Sequence, residues 1–134
     1  RPPCPVRSLW VLGGALGGQP SALQYDLLRK QWTAAPQLLR ERDGPAAVTS
    51  EQNVIYVVGG KNNAGPMASV EKLEPDQEWQ FAPSLQTARR RHAAVRVGSC
   101  IVALGGLASA RGDHGPIAPN EALQLEAVGA AWEN

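Results

Sequence analysis

Three pairs of glycine residues recur along the chain at a fixed spacing of 46 residues, and each pair ends a short apolar run. The pairs are Gly13-Gly14, Gly59-Gly60 and Gly105-Gly106. A period of this length within 134 residues indicates a repeat architecture, in which each repeat is one small structural unit stacked on its neighbours. The spacing therefore constrains the fold more strongly than any local pattern does.

Composition limits the classes of function that this chain can have. Hydrophobic residues make up 43% of the 134 residues, which is enough for a packed core in one domain or part of one. The formal net charge of +1 argues against a surface made to coat nucleic acid or an anionic membrane. No apolar run approaches the roughly 18 residues of a membrane helix, and the first residues lack the apolar core of a signal peptide.

The two cysteines, Cys4 and Cys100, show no spacing typical of a metal site or of a disulfide framework. Cys100 opens an apolar run, where a thiol usually acts as a small hydrophobic side chain. We therefore expect a reducing, cytoplasmic environment, with no metal and no other cofactor.

The segments after the glycine pairs also correspond to one another. Ser21–Asp26, Ser69–Glu74 and Glu121–Glu126 match as alternating segments, so that Ser69 is aligned with Glu121. A tryptophan follows each segment; the three are Trp32, Trp79 and Trp132. A longer, Gly- and Pro-rich insertion precedes the third segment.

Local propensity alone would favour helices in two of these segments, residues 23–31 and 121–128. The second copy carries Glu74-Pro75-Asp76 at the matching place, and proline there disrupts a helix but suits a turn. The repeat therefore predicts strand, turn and strand in all three copies, with turns at Asp26, Asp76 and Gly129.

The segments before the glycine pairs correspond as well, since Pro36–Ala46 matches Pro83–Ala93 and pairs Arg42 with Arg89. We assign Arg91 to the place of Pro45 in the earlier copy, and His92 to the place of Ala46. Each full unit then has four strands: a small-residue strand, an apolar strand ending in Gly-Gly, an alternating strand and a strand begun by tryptophan.

This pattern resembles the Kelch repeat, and the resemblance covers nearly the whole chain. The second copy carries it best, in Val54–Gly60, Ser69–Leu73, Trp79, Pro83 and Thr87–Arg89. The WD repeat, which has a similar length, expects Asp after Trp, whereas Thr, Gln and Glu follow here.

The resemblance implies an all-β protein, a β-propeller built of four-stranded Kelch blades, with about three blades of a larger ring in this chain. We expect a partial blade over residues 1–40, a complete blade over 41–87, and over 88–134 a blade with a long inserted loop and a truncated last strand. The repeat-structural residues would be the three glycine pairs, the three tryptophans Trp32, Trp79 and Trp132, and Arg89. Because three open blades would expose apolar end faces, we expect further blades or a second copy to close the ring.

Three polar clusters are not explained by the repeat and are the candidate partner-binding residues. They are Lys61, Asn62 and Asn63; Arg90, Arg91 and His92; and Arg111, Asp113 and His114. In a propeller these loops emerge on one face, so we expect the clusters to converge on one rim. In Kelch adaptors that capture acidic peptides, basic residues occupy such positions, and guanidinium groups pair bidentately with carboxylates.

Simpler interpretations of these residues stay open at this stage. Arg89 matches Arg42 and is expected to be structural. Arg90 is either a partner contact or a solvated charge, and His92 is either a partner contact or a hydrogen-bonded wall residue. The Arg-Gly-Asp string at residues 111–113 resembles an integrin-type motif, but Gly-Asp in a loop is also ordinary turn chemistry.

The resemblance implies a protein-interaction module, as in the BTB–Kelch substrate adaptors of cullin-RING ubiquitin ligases, which reach the cullin through a BTB region. The alternatives are a cytoskeletal scaffold of the actin-binding type and a Kelch-fold enzyme such as a sugar mutarotase or a copper radical oxidase. No Ser-His-Asp set or phosphate loop can be proposed from the spacing, so we do not expect an enzyme. We expect the chain to bind a protein or peptide partner, with an acidic peptide as one candidate, and to bind neither nucleic acid nor membrane.

Overall fold

Residues 8–14, 21–109, 116–126 and 128–134 are described by a computed structural model. The strands are β1 (Ser8–Leu12), β2 (Ala22–Asp26), β3 (Gln31–Ala34), β4 (Ala46–Thr49), β5 (Ile55–Val58), β6 (Lys61–Asn62), β7 (Gly65–Pro66), β8 (Val70–Leu73), β9 (Gln80–Ala82), β10 (Ala93–Val97), β11 (Cys100–Leu104), β12 (Glu121–Gln124) and β13 (Trp132–Glu133). Within these ranges there is no helix.

The larger strands form three antiparallel sheets that follow one another along the chain. The first sheet has the order β1-β2-β3, the second β4-β5-β8-β9 and the third β10-β11-β12-β13. The short strands β6 and β7 form a separate two-stranded hairpin between β5 and β8. The predicted all-β fold with strand, turn and strand after each glycine pair is confirmed.

The turns lie where the sequence places them. Asp26 Oδ1 accepts hydrogen bonds from the backbone N–H groups of Leu28 and Arg29, both at 2.9 Å. Asp76 and Gly129 have positive φ angles of 59° and 67°. Such angles suit tight turns and are incompatible with a continuing right-handed helix.

One part of the repeat alignment is wrong by two residues. Glu71 lies opposite Val57, two residues before Gly59, and Glu121 lies opposite Ala103, two residues before Gly105. Glu121 is therefore the counterpart of Glu71, and not of Ser69. The insertion before β12 lengthens the segment that follows Gly105-Gly106, so the start of the third alternating segment cannot be found by counting residues from that glycine pair.

Two apolar cores lie between successive sheets. The core between the first and second sheets contains Leu38, Val57, Leu73 and Trp79, with Trp10 and Leu12 packed against it. The core between the second and third sheets contains Tyr56, Val58, Val70, Leu85, Ile101, Ala103, Leu123 and Trp132. Each sheet thus buries one face against each neighbour, as stacked repeats require.

The tryptophan of each later sheet joins that sheet to the segment before it. The indole N–H of Trp79 donates to the carbonyl of Pro36 at 2.9 Å, and that of Trp132 donates to the carbonyl of Pro83 at 2.8 Å. Trp79 and Trp132 are buried, whereas Trp32 in the first sheet is 57% exposed. Trp79 and Trp132 thus have the same structural role, and no described residue gives Trp32 an equivalent contact.

Apolar side chains are exposed on both outer faces of the stack. Strand alternation puts Leu9, Val11, Leu23 and Trp32 on the face of the first sheet that points away from the second. It puts Val95, Val97 and Leu104 on the opposite outer face, that of the third sheet. Patches of this kind mark surfaces that bind further protein.

Candidate functional site

The candidate site lies at the ends of the strands where the glycine pairs emerge. At this edge the segment entering each sheet meets the loop that follows the apolar strand. Gly14 N donates to the carbonyl of Arg42 at 2.8 Å, and Gly60 N donates to the carbonyl of Arg89 at 2.9 Å. We call this edge the rim, made of residues 42–45, 60–67, 89–92 and 105–109.

The first glycine of the first two pairs is required by close backbone approach. A Cβ atom on Gly13 would lie 2.6 Å from the Arg42 carbonyl oxygen, and one on Gly59 would lie 2.6 Å from the Arg89 carbonyl oxygen. The φ angles of the two glycines are +81° and +61°, which disfavour any side chain. Gly13 and Gly59 therefore leave room for the segment that enters the next sheet.

Two buried ion pairs hold the entering segments in place. Arg42 Nε lies 2.7 Å from Glu71 Oε2, and Arg89 Nη2 lies 2.5 Å from Glu121 Oε2. All four side chains are fully buried. The sequence indicated that Arg89 repeats Arg42, but it did not identify the two carboxylates. A buried arginine needs a partner of opposite charge, so the repeated arginine was a signal that each copy also contains a buried carboxylate.

The carboxylates also bind the chain that leads into each arginine. Glu71 accepts hydrogen bonds from the backbone N–H groups of Leu39 and Arg40 at 2.5 and 3.2 Å. Glu121 accepts them from Gln86 and Thr87 at 2.6 and 3.0 Å. The two rim segments thus have the same internal support.

Lys61 and Arg91 contact adjacent residues of one rim segment. The backbones of Lys61 and Asp43 exchange two hydrogen bonds of 2.8 Å, and Arg91 N donates to the carbonyl of Gly44 at 2.9 Å. Two of the predicted clusters are therefore brought together through Asp43-Gly44. Lys61 and Asn62 are half-buried, and Asn63 and Arg91 are exposed.

Of the two interpretations of Arg90 that the sequence left open, the solvated charge is wrong. Arg90 is 5% exposed, its Nε donates to the carbonyl of Ser109 at 3.1 Å, and its backbone exchanges hydrogen bonds with Leu107. Burial removes this side chain from the accessible surface of the rim. It binds the start of the third loop instead.

The assignment of Arg91 and His92 within the repeat is also wrong, by one residue. The offset that pairs Arg42 with Arg89 puts Arg91 at the place of Gly44 and His92 at the place of Pro45. The backbone agrees, since Gly44 has a φ of 63° and Arg91 a φ of 53°. The backbone of Arg91 thus has a left-handed conformation, and in the earlier copy a glycine occupies the equivalent position.

His92 lies between two glycine pairs, as Pro45 does in the earlier copy. Its Cε1 would lie 2.9 Å from a Cβ on Gly59, and its Cβ 2.6 Å from a Cβ on Gly106. Neither buried ring nitrogen makes a well-formed hydrogen bond, so the expected hydrogen-bonded wall residue is not found. Burial, with a smaller contribution from the charge of Arg89, lowers the pKa of His92 to about 4, and the Val58 backbone opposes this weakly.

The third predicted cluster, Arg111, Asp113 and His114, lies outside the described residues, as does Cys4. Among the residues that are described, no group of three His, Cys, Asp or Glu side chains could hold a metal ion. The described part also contains no helix long and apolar enough to cross a membrane.

Comparison with known proteins agrees with the three stacked sheets and the glycine-pair geometry. The Kelch motif model matches residues 44–86. The chain is built of Kelch repeats. It is 34% identical over 108 residues to Kelch-like protein 34 of Homo sapiens and 34% identical over 105 residues to Kelch domain-containing protein 8B of Mus musculus. It is also 30% identical over 95 residues to alpha-scruin of Limulus polyphemus.

The Kelch relatives are much longer than the part that matches. The alignments cover 74%, 75% and 69% of this chain but only 17%, 28% and 10% of the three relatives in that order. The solved structure of YjhT superposes with a TM-score of 0.75 at 12% identity, over 96% of this chain and 43% of that one. This likeness shows the propeller fold, and the three sheets are Kelch blades of such a propeller. Kelch domains generally bind protein partners.

Proposed function

We propose that this chain supplies part of a protein-binding rim that recognises an acidic peptide segment of a partner, with Lys61, Asn63 and Arg91 as contact residues. The observation that carries the proposal is the left-handed backbone of Arg91. A non-glycine residue with such a φ costs about 1–2 kcal/mol relative to the usual region. Glycine takes this position in the preceding blade, so the arginine side chain is retained against a conformational cost.

The position of Arg91 fits recognition of carboxylates. The residue is exposed, and the carbonyl of Gly44 holds its backbone N–H at 2.9 Å. A guanidinium group binds a carboxylate through two parallel hydrogen bonds, which gives both affinity and orientation.

The Lys61 hairpin adds a second group of polar side chains beside Arg91. β6 and β7 form a tight turn in which Asn62 Oδ1 accepts a hydrogen bond from Ala64 N at 2.9 Å. This turn holds Asn63 exposed at its tip. A lysine ammonium supplies positive charge, and an asparagine amide can donate and accept hydrogen bonds to a peptide backbone.

The complete rim requires the rest of a ring. We assign residues 1–40, 41–87 and 88–134 to three successive blades, whose exposed outer faces pack against further blades. In the longer protein, we propose that the propeller acts as the substrate-binding part of a cullin-RING ubiquitin ligase adaptor, in a cytoplasmic setting. The support for this role is the relation to Kelch-like proteins of Homo sapiens and Mus musculus.

Peptide phage display against the longer protein, followed by titration of the selected peptides, tests the rim proposal. We expect enrichment of acidic peptides and at least a tenfold loss of their affinity in the Lys61→Ala/Arg91→Ala variant. The matched control is Arg29→Ala/Arg96→Ala, which removes the same charge from exposed side chains at the opposite strand ends. Selection of peptides without acidic residues, or equal binding by the rim variant, would contradict the proposal and favour a scaffold that binds through the blade sides.

A further inference from the structure

The rim segment that carries Lys61 is built from three short backbone segments. Lys61 directly follows Gly59-Gly60 and pairs with Asp43 on one side and with Pro66 on the other. Met67 N, the next amide after Pro66, donates to the carbonyl of Gly60 at 2.8 Å. This part of the rim therefore has charged side chains on two neighbouring segments, Lys61 and Asp43.

The third blade repeats this backbone arrangement with different side chains. Leu107 directly follows Gly105-Gly106 and pairs with Arg90 on one side and with Ile117 on the other. Ala118 N, the next amide after Ile117, donates to the carbonyl of Gly106 at 3.0 Å. The pattern of pairing is the same as in the second blade, so the two sets of residues are equivalent.

The exchange of Lys61 for Leu107 and of Pro66 for Ile117 makes the third-blade segment apolar. Residues directly opposite each other in antiparallel strands have their side chains on the same face, with Cβ atoms about 5 Å apart. Leu107 and Ile117 therefore form an aliphatic pair. Leu107 is half-buried, whereas Ile117 is 79% exposed.

The backbone is held on both sides of Ile117. Ala118 is only 2% exposed, and the carbonyl of Pro116 accepts a hydrogen bond from Ala108 N at 3.1 Å. A side chain on a fixed backbone loses little freedom when it binds a ligand, so more of its burial contributes to affinity. Ile117 is thus a preorganised apolar contact at the edge of the rim.

The aliphatic pair lies close to Arg91. Arg91 follows Arg90, which pairs with Leu107. Neighbouring strands lie about 4.8 Å apart, so the backbone of Ile117 lies about 10 Å from that of Arg90. An extended peptide advances about 3.3 Å per residue. When Arg91 binds a peptide carboxylate, a residue about three positions away in that peptide therefore reaches Ile117.

We propose that the rim selects peptides in which a large apolar residue stands about two to four positions from the acidic residue, and that Ile117 and Leu107 determine this preference. The inference rests on the proposed binding of acidic peptides by Lys61 and Arg91, and it adds a second chemical requirement on the same peptide. The basic side chains orient the acidic residue, and the aliphatic pair gains affinity by burying the apolar one.

The acidic peptides selected on the longer protein are the probes. We expect them to carry Leu, Ile, Val, Met or Phe at the stated distance from an acidic residue. Replacement of that apolar residue by serine in the peptide, and Ile117→Ser in the protein, should each weaken binding about fivefold. The two changes together should cost little more than either alone, because both remove the same contact.

The matched control is Leu28→Ser, which removes an aliphatic side chain that is 73% exposed in the turn between β2 and β3. This turn lies at the opposite strand ends, so the affinity for the selected peptides should not change. Because Ile117 is exposed, Ile117→Ser should also leave the midpoint of thermal unfolding unchanged.

Leu107→Lys tests the preference in the other direction. It introduces the lysine of the second blade, so display against this variant should enrich peptides with a second acidic residue in place of the apolar one. A purely structural role of Leu107 would not exchange one peptide preference for another.

The outcomes separate this inference from the acidic-peptide proposal. Selected acidic peptides without an apolar residue at this distance, additive losses in the combined experiment, or an equal loss in Leu28→Ser would overturn the inference and leave the acidic rim in place. Equal binding of the selected peptides by Lys61→Ala/Arg91→Ala would contradict the rim proposal, and the inference with it.

Discussion

Arg42 and Glu71 form an ion pair from which water is excluded, with Arg42 Nε 2.7 Å from Glu71 Oε2 and both side chains fully buried. The remaining guanidinium N–H groups donate to the carbonyls of Gly59 and Ser69 and to the Ser69 hydroxyl at 2.7–2.9 Å. Burial lowers the pKa of Arg42, while Glu71 opposes that effect. The pair therefore joins the entering segment to the second blade.

Removal of one member of this pair should be costly. Glu71→Leu leaves the Arg42 guanidinium buried without its carboxylate, so the free energy of unfolding should fall by about 3–5 kcal/mol in urea denaturation. The double variant Arg42→Met/Glu71→Leu should recover a large part of the loss, because no buried charge then lacks a partner. A double variant as unstable as the single one would show that the ion pair itself, and not the uncompensated charge, sets the stability.

Gly59→Ala should destabilise the protein more than Gly98→Ala does. Both glycines have a φ near +60°, so both substitutions carry a backbone cost of about 1 kcal/mol. A Cβ on Gly59 would also lie 2.6 Å from the Arg89 carbonyl oxygen, whereas one on Gly98 would meet nothing within 4 Å. We expect losses of about 3 kcal/mol and about 1 kcal/mol, measured by chemical denaturation, and equal losses would rule out close approach as the reason for glycine at position 59.

Trp79 and Trp32 should differ in the same experiment. Trp79 is 4% exposed and donates to the Pro36 carbonyl, so Trp79→Ala should lower the free energy of unfolding by about 3–5 kcal/mol. Trp32 is 57% exposed and contacts Tyr25 edge-to-face at a centroid distance of 5.2 Å. Trp32→Ala should cost about 1 kcal/mol or less in this chain, and a larger loss would place Trp32 inside an interface.

The sequence was sufficient to predict the repeating framework, for a physical reason. Gly13 and Gly59 each admit a backbone segment of the next sheet, and Trp79 and Trp132 each fill the space between two sheets. A residue type that is needed at every repeat leaves a period in the sequence. The three sheets, the turns and the Kelch fold follow from that period.

The parts that sequence reasoning missed depend on register and burial. Glu121 was misaligned because an inserted loop precedes it, and only strand pairing with Ala103 fixed its place. Arg90 and Arg91 are adjacent in sequence, yet one is buried and the other exposed. That difference comes from the backbone pairing of Arg90 with Leu107, a long-range contact that composition does not reveal.

His92 should make the stability of the protein dependent on pH. Its folded-state pKa is about 4, against 6.5 for an ordinary histidine, mainly because of burial. Between these values the unfolded chain binds the proton and the folded chain does not, so stability falls as the pH falls from about 6.5 to 4. The stability advantage of wild type over His92→Ala should shrink across that window in urea titrations at several pH values. A constant difference between the two proteins would mean that the imidazole titrates normally.

Arg91→Gly separates the conformational cost of Arg91 from its function. Glycine relieves the left-handed strain at a φ of 53° but adds freedom to the unfolded chain, so stability should stay unchanged or rise by up to about 1 kcal/mol. The acidic peptides selected on the longer protein should nevertheless bind at least about tenfold more weakly, because the guanidinium group is lost. Arg91→Lys keeps the charge and loses the bidentate geometry, so its affinity for these peptides should lie between that of wild type and that of Arg91→Gly. A large loss of stability in Arg91→Gly would show instead that the side chain supports the fold, and would remove the argument that its strained backbone marks a binding residue.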